Sequence, residues 1–146
     1  MQIAIINGPN LNLLGVRQPH IYGDQTFEGF FAALQAEFAG RAALTYFQSN
    51  SEGELLDELQ KIGFSAAGIL LNAGAYTHTS IALRDCIAAI SSPVLEIHIS
   101  NTQAREAFRH VSHIAPVARG GIFGLGLAGY RLGVAYFLAQ AEESSK

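Results

Sequence analysis

Glu96 and His98 stand two residues apart in the run Pro93-Val-Leu-Glu-Ile-His98. Side chains of an extended strand alternate between faces, so these two share one. A carboxylate beside an imidazole fixes its tautomer and suits it to act as a general acid, although a structural ion pair carries the same signature. Arg17 and Tyr22 lie five residues apart in one long connection. A tyrosine serves as a base only where cations lower its pKa from about 10; otherwise it is an aromatic anchor for its loop. Arg105 and Arg109 are four apart, which puts them on one face of a helix, either walling a site or facing solvent. Asn7, Asn10, Asn12, Asn72, Tyr76, His78, Ser100 and Asn101 add amides, hydroxyls and a second imidazole. Such a set can move protons and hold an oxygen-rich anion with forked guanidinium groups. It has neither clustered carboxylates nor metal-ligand spacing, so the chemistry reads as metal-free.

These residues fall at the ends of apolar runs, which is where an alternating α/β chain would place them. Residues 2–7, 43–48, 67–72 and 93–98 read as buried strands, with residues 114–117 as a weak fifth. Phe27, Phe30, Phe31, Leu34 and Phe38 recur at helical spacing over residues 26–38. Residues 51–62 form a helix opened by a Ser51-Glu-Gly-Glu54 capping box. Further helices are expected over about 79–90, near 103–108, and from 129 to about 141. Strands that are apolar throughout and alternate with helices imply a parallel sheet covered on both faces. Five such units suit a flavodoxin-like doubly wound fold, whose ligands bind beyond the carboxyl ends of the strands. Three strand ends therefore converge on one crevice. The connection over residues 8–24 is long for a compact domain, and loops of that length are usually functional.

Composition narrows the function. The 146 residues are 49% hydrophobic and 14% charged, enough apolar surface for one domain spanning 1–146 and too little charge for disorder. A net charge of −3 without a basic block gives no nucleic-acid footprint. No apolar run reaches the ~18 residues that would span a bilayer. The first residues, Met-Gln-Ile-Ala-Ile-Ile-Asn7, read as a strand rather than a leader, so a cytoplasmic location is the expectation. Seven Arg accompany only Lys61 and Lys146, an unpromising pair for imine chemistry. Cys86, the single cysteine, sits in an apolar stretch and is expected to be buried.

Gly124-x-Gly126-x-x-Gly129 spells a dinucleotide fingerprint, but that motif belongs after a first strand with an acidic partner ~20 residues on, and no strand follows here. These glycines suit close packing of a loop and helix against the sheet or another subunit. No serine lies in a Gly-x-Ser-x-Gly elbow. The first loop, nearly free of hydroxyls, does not suit a flavin phosphate, which leaves a flavin-free binding module and an inactive scaffold as rivals to an enzyme.

Asn7-Gly-Pro-Asn-Leu-Asn-Leu-Leu-Gly15, followed by Arg17 and Tyr22-Gly23, resembles the opening of the type II 3-dehydroquinate dehydratases. Asn72-Ala-Gly-Ala-Tyr-Thr-His-Thr-Ser80, Glu96-Ile-His-Ile-Ser-Asn101, Arg105-Glu-Ala-Phe-Arg-His110 and Gly120-Gly-Ile-x-Gly-x-Gly-x-x-Gly-Tyr130 are similar to later motifs of that family. The likeness covers essentially the whole chain; Ala73 departs from it, where proline is expected in many members.

The resemblance implies a flavodoxin-like fold and reversible dehydration of 3-dehydroquinate to 3-dehydroshikimate in the shikimate pathway, with no cofactor, metal or Schiff base. It implies Tyr22 as the base, kept as phenolate by Arg17 and Arg105. Asn10 would position a water at the enolate oxygen. His98, oriented by Glu96, would be the acid. Asn72, Ser100 and the backbone amides of Ile99 and Ser100 would cradle the substrate carboxylate, and His78 and Arg109 would hold ring hydroxyls. Asp85 would reach into a neighbouring subunit of a dodecamer built from four trimers.

Overall fold

The computed structural model describes residues 1–16 and 25–145. Five strands, β1 (Gln2–Asn7), β2 (Ala43–Gln48), β3 (Gly68–Asn72), β4 (Val94–His98) and β5 (Gly120–Phe123), form one parallel sheet in the order β2-β1-β3-β4-β5. Four helices connect or follow them: α1 (Phe27–Glu37), α2 (Glu52–Ile62), α3 (Ile81–Ala89) and α4 (Ala128–Ser144). This is the flavodoxin-like arrangement expected from the alternating apolar runs. The strand order reverses direction between β1 and β3, and such a switch point opens a crevice at the strand carboxyl ends.

Strand periodicity divides the core into two layers. Ile3 and Ile5 of β1, Leu70 of β3, and Leu95 and Ile97 of β4 face α1 and α4, where they meet Phe27, Phe30, Leu34, Tyr130, Val134 and Phe137. Ala4, Ile6, Ile69, Leu71 and Val94 face α2 and α3, against Leu55, Leu59, Leu83 and Ile87. Cys86 is buried in this second layer, and desolvation raises its thiol pKa. Burying each large apolar side chain contributes roughly 1.5–3 kcal/mol before entropy is set against it. The same alternation puts Glu96 and His98, both buried, on the α2–α3 side with Val94.

Local signals explain the helix starts. Thr26 caps α1 by accepting from the Gly29 amide, and Ser80 caps α3 by accepting from Leu83. At α2 only half of the expected box forms. Ser51 accepts from the Glu54 amide at 3.4 Å, but its own N–H goes to the Ser49 hydroxyl, which in turn donates to the Glu54 carboxylate.

Two expected elements are corrected. Residues 114–117 are a turn rather than a strand: the Ile114 carbonyl accepts from Val117 and Ala118, while its side chain is fully buried on the α2–α3 side. The fifth strand is instead Gly120–Phe123, whose two glycines hide it from a search for apolar runs. The short helix expected over 103–108 is two 3₁₀ turns, Thr102–Ala104 and Ala107–His110, separated at Arg105, whose ψ of −162° breaks any helix. No helix among the described residues is long and apolar enough to cross a membrane.

The β1 and β3 loops press together. A Cβ on Gly8 would fall 2.5 Å from the Ala73 carbonyl oxygen, so only glycine fits there. Ala73 has φ −72°, within the range that proline fixes, and follows the extended strand residue Asn72. Ala73→Pro is therefore expected to stabilise the fold by about 0.4–1 kcal/mol by restricting the unfolded chain. Denaturant unfolding would register this as a higher midpoint at unchanged slope.

Candidate active site

Asn7 and Asn72 end neighbouring strands in register, at the switch point. Both are buried and share the hydroxyl of Tyr130 from α4: Asn72 Nδ2 donates to it at 3.0 Å, and it donates to Asn7 Oδ1 at 2.8 Å. Asn72 Oδ1 also accepts from the Gly74 amide at 3.2 Å. One of the two Asn72 amide hydrogens is thereby committed, and the plane of its side chain is fixed. Asn10 adopts the left-handed conformation, φ 69°, and its N–H is held by Asn50 Oδ1 at 2.9 Å. Such a conformation in a non-glycine residue must be held by its neighbours.

A cleft opens above these strand ends, lined among others by Asn10, Leu14, Asn72, Ile99, Arg105 and Arg109. The arginines share a wall without sharing a helix. Arg109 Nε donates to Glu106 Oε2 at 2.7 Å, Arg105 Nε lies 3.8 Å from the same oxygen, and Arg105 Nη1 donates to Ser100 Oγ at 3.2 Å. Their side chains are only 19% and 17% exposed, which replaces the solvated-face reading with a partly desolvated cationic wall. The arginines, Arg109 foremost, hold the Glu106 carboxyl below its usual range.

A second cleft meets the first at Arg109 and is lined by His78, Glu96, His98, Thr102, His110 and Ser112, among others. Within it His98 Nε2 lies 2.7 Å from Glu96 Oε1. Because a carboxylate only accepts, Nε2 carries the proton of this bond, leaving Nδ1 to exchange a proton with a ligand. The His98 ring packs 5.5 Å from Phe123 and 6.3 Å from the nearly parallel ring of His78. His78 Nδ1 donates to the Val111 carbonyl at 2.7 Å, which frees Nε2 to accept from a hydroxyl.

The structure thus brings Asn10, Asn72, Ile99, Arg105 and Arg109 to one cleft and His78, Glu96 and His98 to its neighbour, with Ser100 bonded to the arginine wall. Asp85 lines neither; its side chain is 69% exposed and lies 3.5 Å from Arg84. Arg17 and Tyr22 lie outside the described residues. Leu13 and Leu14, just ahead of Arg17 in the chain, line the first cleft.

Sequence reading missed two supporting residues. Tyr130 lies 58 residues beyond Asn72 and sits in an apolar helix, where it passes for core. Ser112, bonded to Glu96, follows it by 16 residues with no periodic relation to it. Only the Tyr130 position had a signal, as the last residue of the glycine-rich motif.

An anion held at the arginine wall would lie beside an imidazole whose tautomer is fixed by a buried carboxylate. That arrangement fits acid–base chemistry on a small carboxylic acid. The comparisons point the same way. The family model described as Dehydroquinase class II matches residues 1–138. A 3-dehydroquinate dehydratase from an Exiguobacterium species is 54% identical over 132 residues, covering 90% of each chain. The protein of the same name from Bacillus subtilis is 49% identical over 143 residues, covering 97% of each. The crystal structure of the type II dehydroquinase from Butyrivibrio crossotus superposes with a TM-score of 0.90 at 41% identity, covering 94% of this chain and 97% of that one. Family match, identity along nearly the full length and shared fold agree: the chain belongs to the class II dehydroquinases.

Proposed function

We propose that this chain dehydrates 3-dehydroquinate to 3-dehydroshikimate through an enolate, with Tyr22 as base and His98 as acid. The observation that carries the reading is the buried His98–Glu96 pair, 2.7 Å apart, opening beside a cleft walled by two arginines. Tyr22 takes the proton beside the ketone, and the electron pair moves onto the carbonyl oxygen. The enolate then collapses, expelling the hydroxyl as water with a proton from His98 Nδ1. A water held by Asn10 stabilises the enolate oxygen, and Asn72, Ser100 and the amides of Ile99 and Ser100 hold the carboxylate. His78 and Arg109 orient the ring hydroxyls.

Tyrosine chemistry supports assigning the base to Tyr22. Burial pushes the Tyr46 phenol up to about 12 and raises that of Tyr130 as well, which disfavours a phenolate at either position. Tyr76 donates its hydroxyl to the Asn50 carbonyl, and Tyr136 belongs to a cleft that includes Met1 and Pro93, at the opposite end of the sheet. Tyr22 is joined to Arg17 by a short stretch of chain, and Arg105 supplies a second cation to keep a phenolate.

We further infer one catalytic domain over 1–146, a dodecamer of four trimers and a cytoplasmic location. The largely exposed Asp85 carboxylate, which lines neither of these two clefts, is what a residue offered to another subunit's site would look like.

The test is ultraviolet absorbance after mixing the protein with 3-dehydroquinate, following treatment with a chelator and an imine-reducing reagent. The conjugated enone band is expected to grow undiminished by either treatment. Silence from folded protein, or loss of activity to either treatment, overturns the proposal.

A further inference from the structure

Ser112 lies beyond the arginine-bearing 3₁₀ turns, in the loop that leads to the buried Ile114. Its Oγ is 2.9 Å from Glu96 Oε1 and 3.0 Å from Oε2. The same oxygen accepts the amide N–H groups of Ile114, at 3.1 Å, and Ala115, at 2.9 Å. A hydroxyl has two acceptor sites and one proton. With both acceptor sites taken by backbone amides, the proton is directed at Glu96. The direction of the whole relay follows: two amides to Ser112, Ser112 to Glu96, and His98 Nε2–H to Glu96. Glu96 is 1% exposed, so these donors replace the water that a carboxylate would otherwise keep.

Resting on the reading of His98 as the acid, we propose that Ser112 is a positioning residue that shares the Glu96 charge and aims the carboxylate at His98 Nε2. It thereby sets how readily His98 gives up the proton on Nδ1. The turn that holds Ser112 is anchored by Ile114, fully buried against the α2–α3 side of the sheet. The donor therefore needs no reorganisation as the imidazolium gives up its proton and its charge. Without the hydroxyl, Glu96 keeps its bond to His98 Nε2 and grips the imidazolium harder. The acid then becomes more persistent and less willing to donate.

The direction of the pH effect follows. Among the described residues, the charged and titratable groups around His98 are Glu96 on its own strand, His78 from the turn after β3, and Arg109 and His110 from the turns after β4; β5 contributes the neutral Phe123 ring. Losing the Ser112 donor leaves all of these in place and concentrates the Glu96 charge on His98. The limb of the kcat profile governed by the His98–Glu96 pair therefore moves to higher pH.

The experiment compares kcat and KM across pH for the full chain and for Ser112→Ala, Ser112→Cys and Ser112→Thr, with thermal unfolding of each. Ser112→Ala is expected to lower kcat on the order of tenfold and to shift that limb upward, with KM nearly unchanged. Ser112→Thr restores both rate and profile, and Ser112→Cys, a weaker donor, falls between. Should the alanine variant fail to fold, the cysteine profile decides, because a mere turn-former would lower stability without moving the limb. An unmoved profile at full occupancy of the folded state overturns the proposal. His98→Ala, assayed alongside, separates the two readings: turnover retained there defeats the acid assignment itself, whereas turnover lost there with an unmoved Ser112 profile defeats only the role of Ser112.

Discussion

Turnover by the Tyr22→Phe variant is expected to fall by about 10²–10⁴-fold with KM within a few-fold of the parent. The substitution removes one oxygen and keeps the ring, so, with Tyr22 as the proposed base, proton abstraction rather than binding is expected to be lost. The two core tyrosines are poorly placed to take over. Tyr46 and Tyr130 are held neutral by burial and are committed to the core, packing their rings about Phe27. Arg17→Ala is expected to act on the same step by removing a cation that keeps the phenolate, and should likewise lower kcat more than affinity. Steady-state kinetics on 3-dehydroquinate would check both. Near-normal turnover in either variant would mean that the base is elsewhere.

His98→Ala is expected to suppress loss of water to a similar extent, about 10²–10⁴-fold, while the chain still folds. The variant loses ring contacts with Phe123 and His78 and leaves Glu96 without one of its donors. An unpaired buried group costs about 1–3 kcal/mol, so some fall in thermal stability should accompany the lost activity. Ser112 still donates to Glu96, which limits that fall. Circular dichroism and thermal unfolding would separate an inactive folded variant from an unfolded one. Full activity in a folded His98→Ala protein would remove the imidazole from the mechanism.

The parts of this protein that were legible in its sequence are those written in periodicity. β1 and β2 fall on the apolar runs that announce them, and Glu96 and His98 share a face because strand side chains alternate. The fifth strand was misplaced because Gly120 and Gly121 give it no apolar signature, whereas Ile114 is buried through a turn. The arginine wall was legible by residue type but not by geometry: Arg105 and Arg109 converge through Glu106 and two 3₁₀ turns, not through helical spacing. Ser112 and Tyr130 act across the tertiary fold, at separations with no periodic mark. The roles given to Arg17 and Tyr22 rest on motif likeness, since five-residue spacing alone does not distinguish a base from a loop anchor.

In the proposed mechanism one residue removes a proton and another releases water. Proton NMR of 3-dehydroquinate in deuterated water, with each variant in turn, separates the two steps. His98→Ala is expected to exchange the hydrogen beside the ketone faster than buffer does while forming almost no enone, because the enolate forms and returns. Tyr22→Phe should do neither. Exchange by Tyr22→Phe at the parent's rate, or enone formation by His98→Ala at the parent's rate, would mean that other groups carry these two steps.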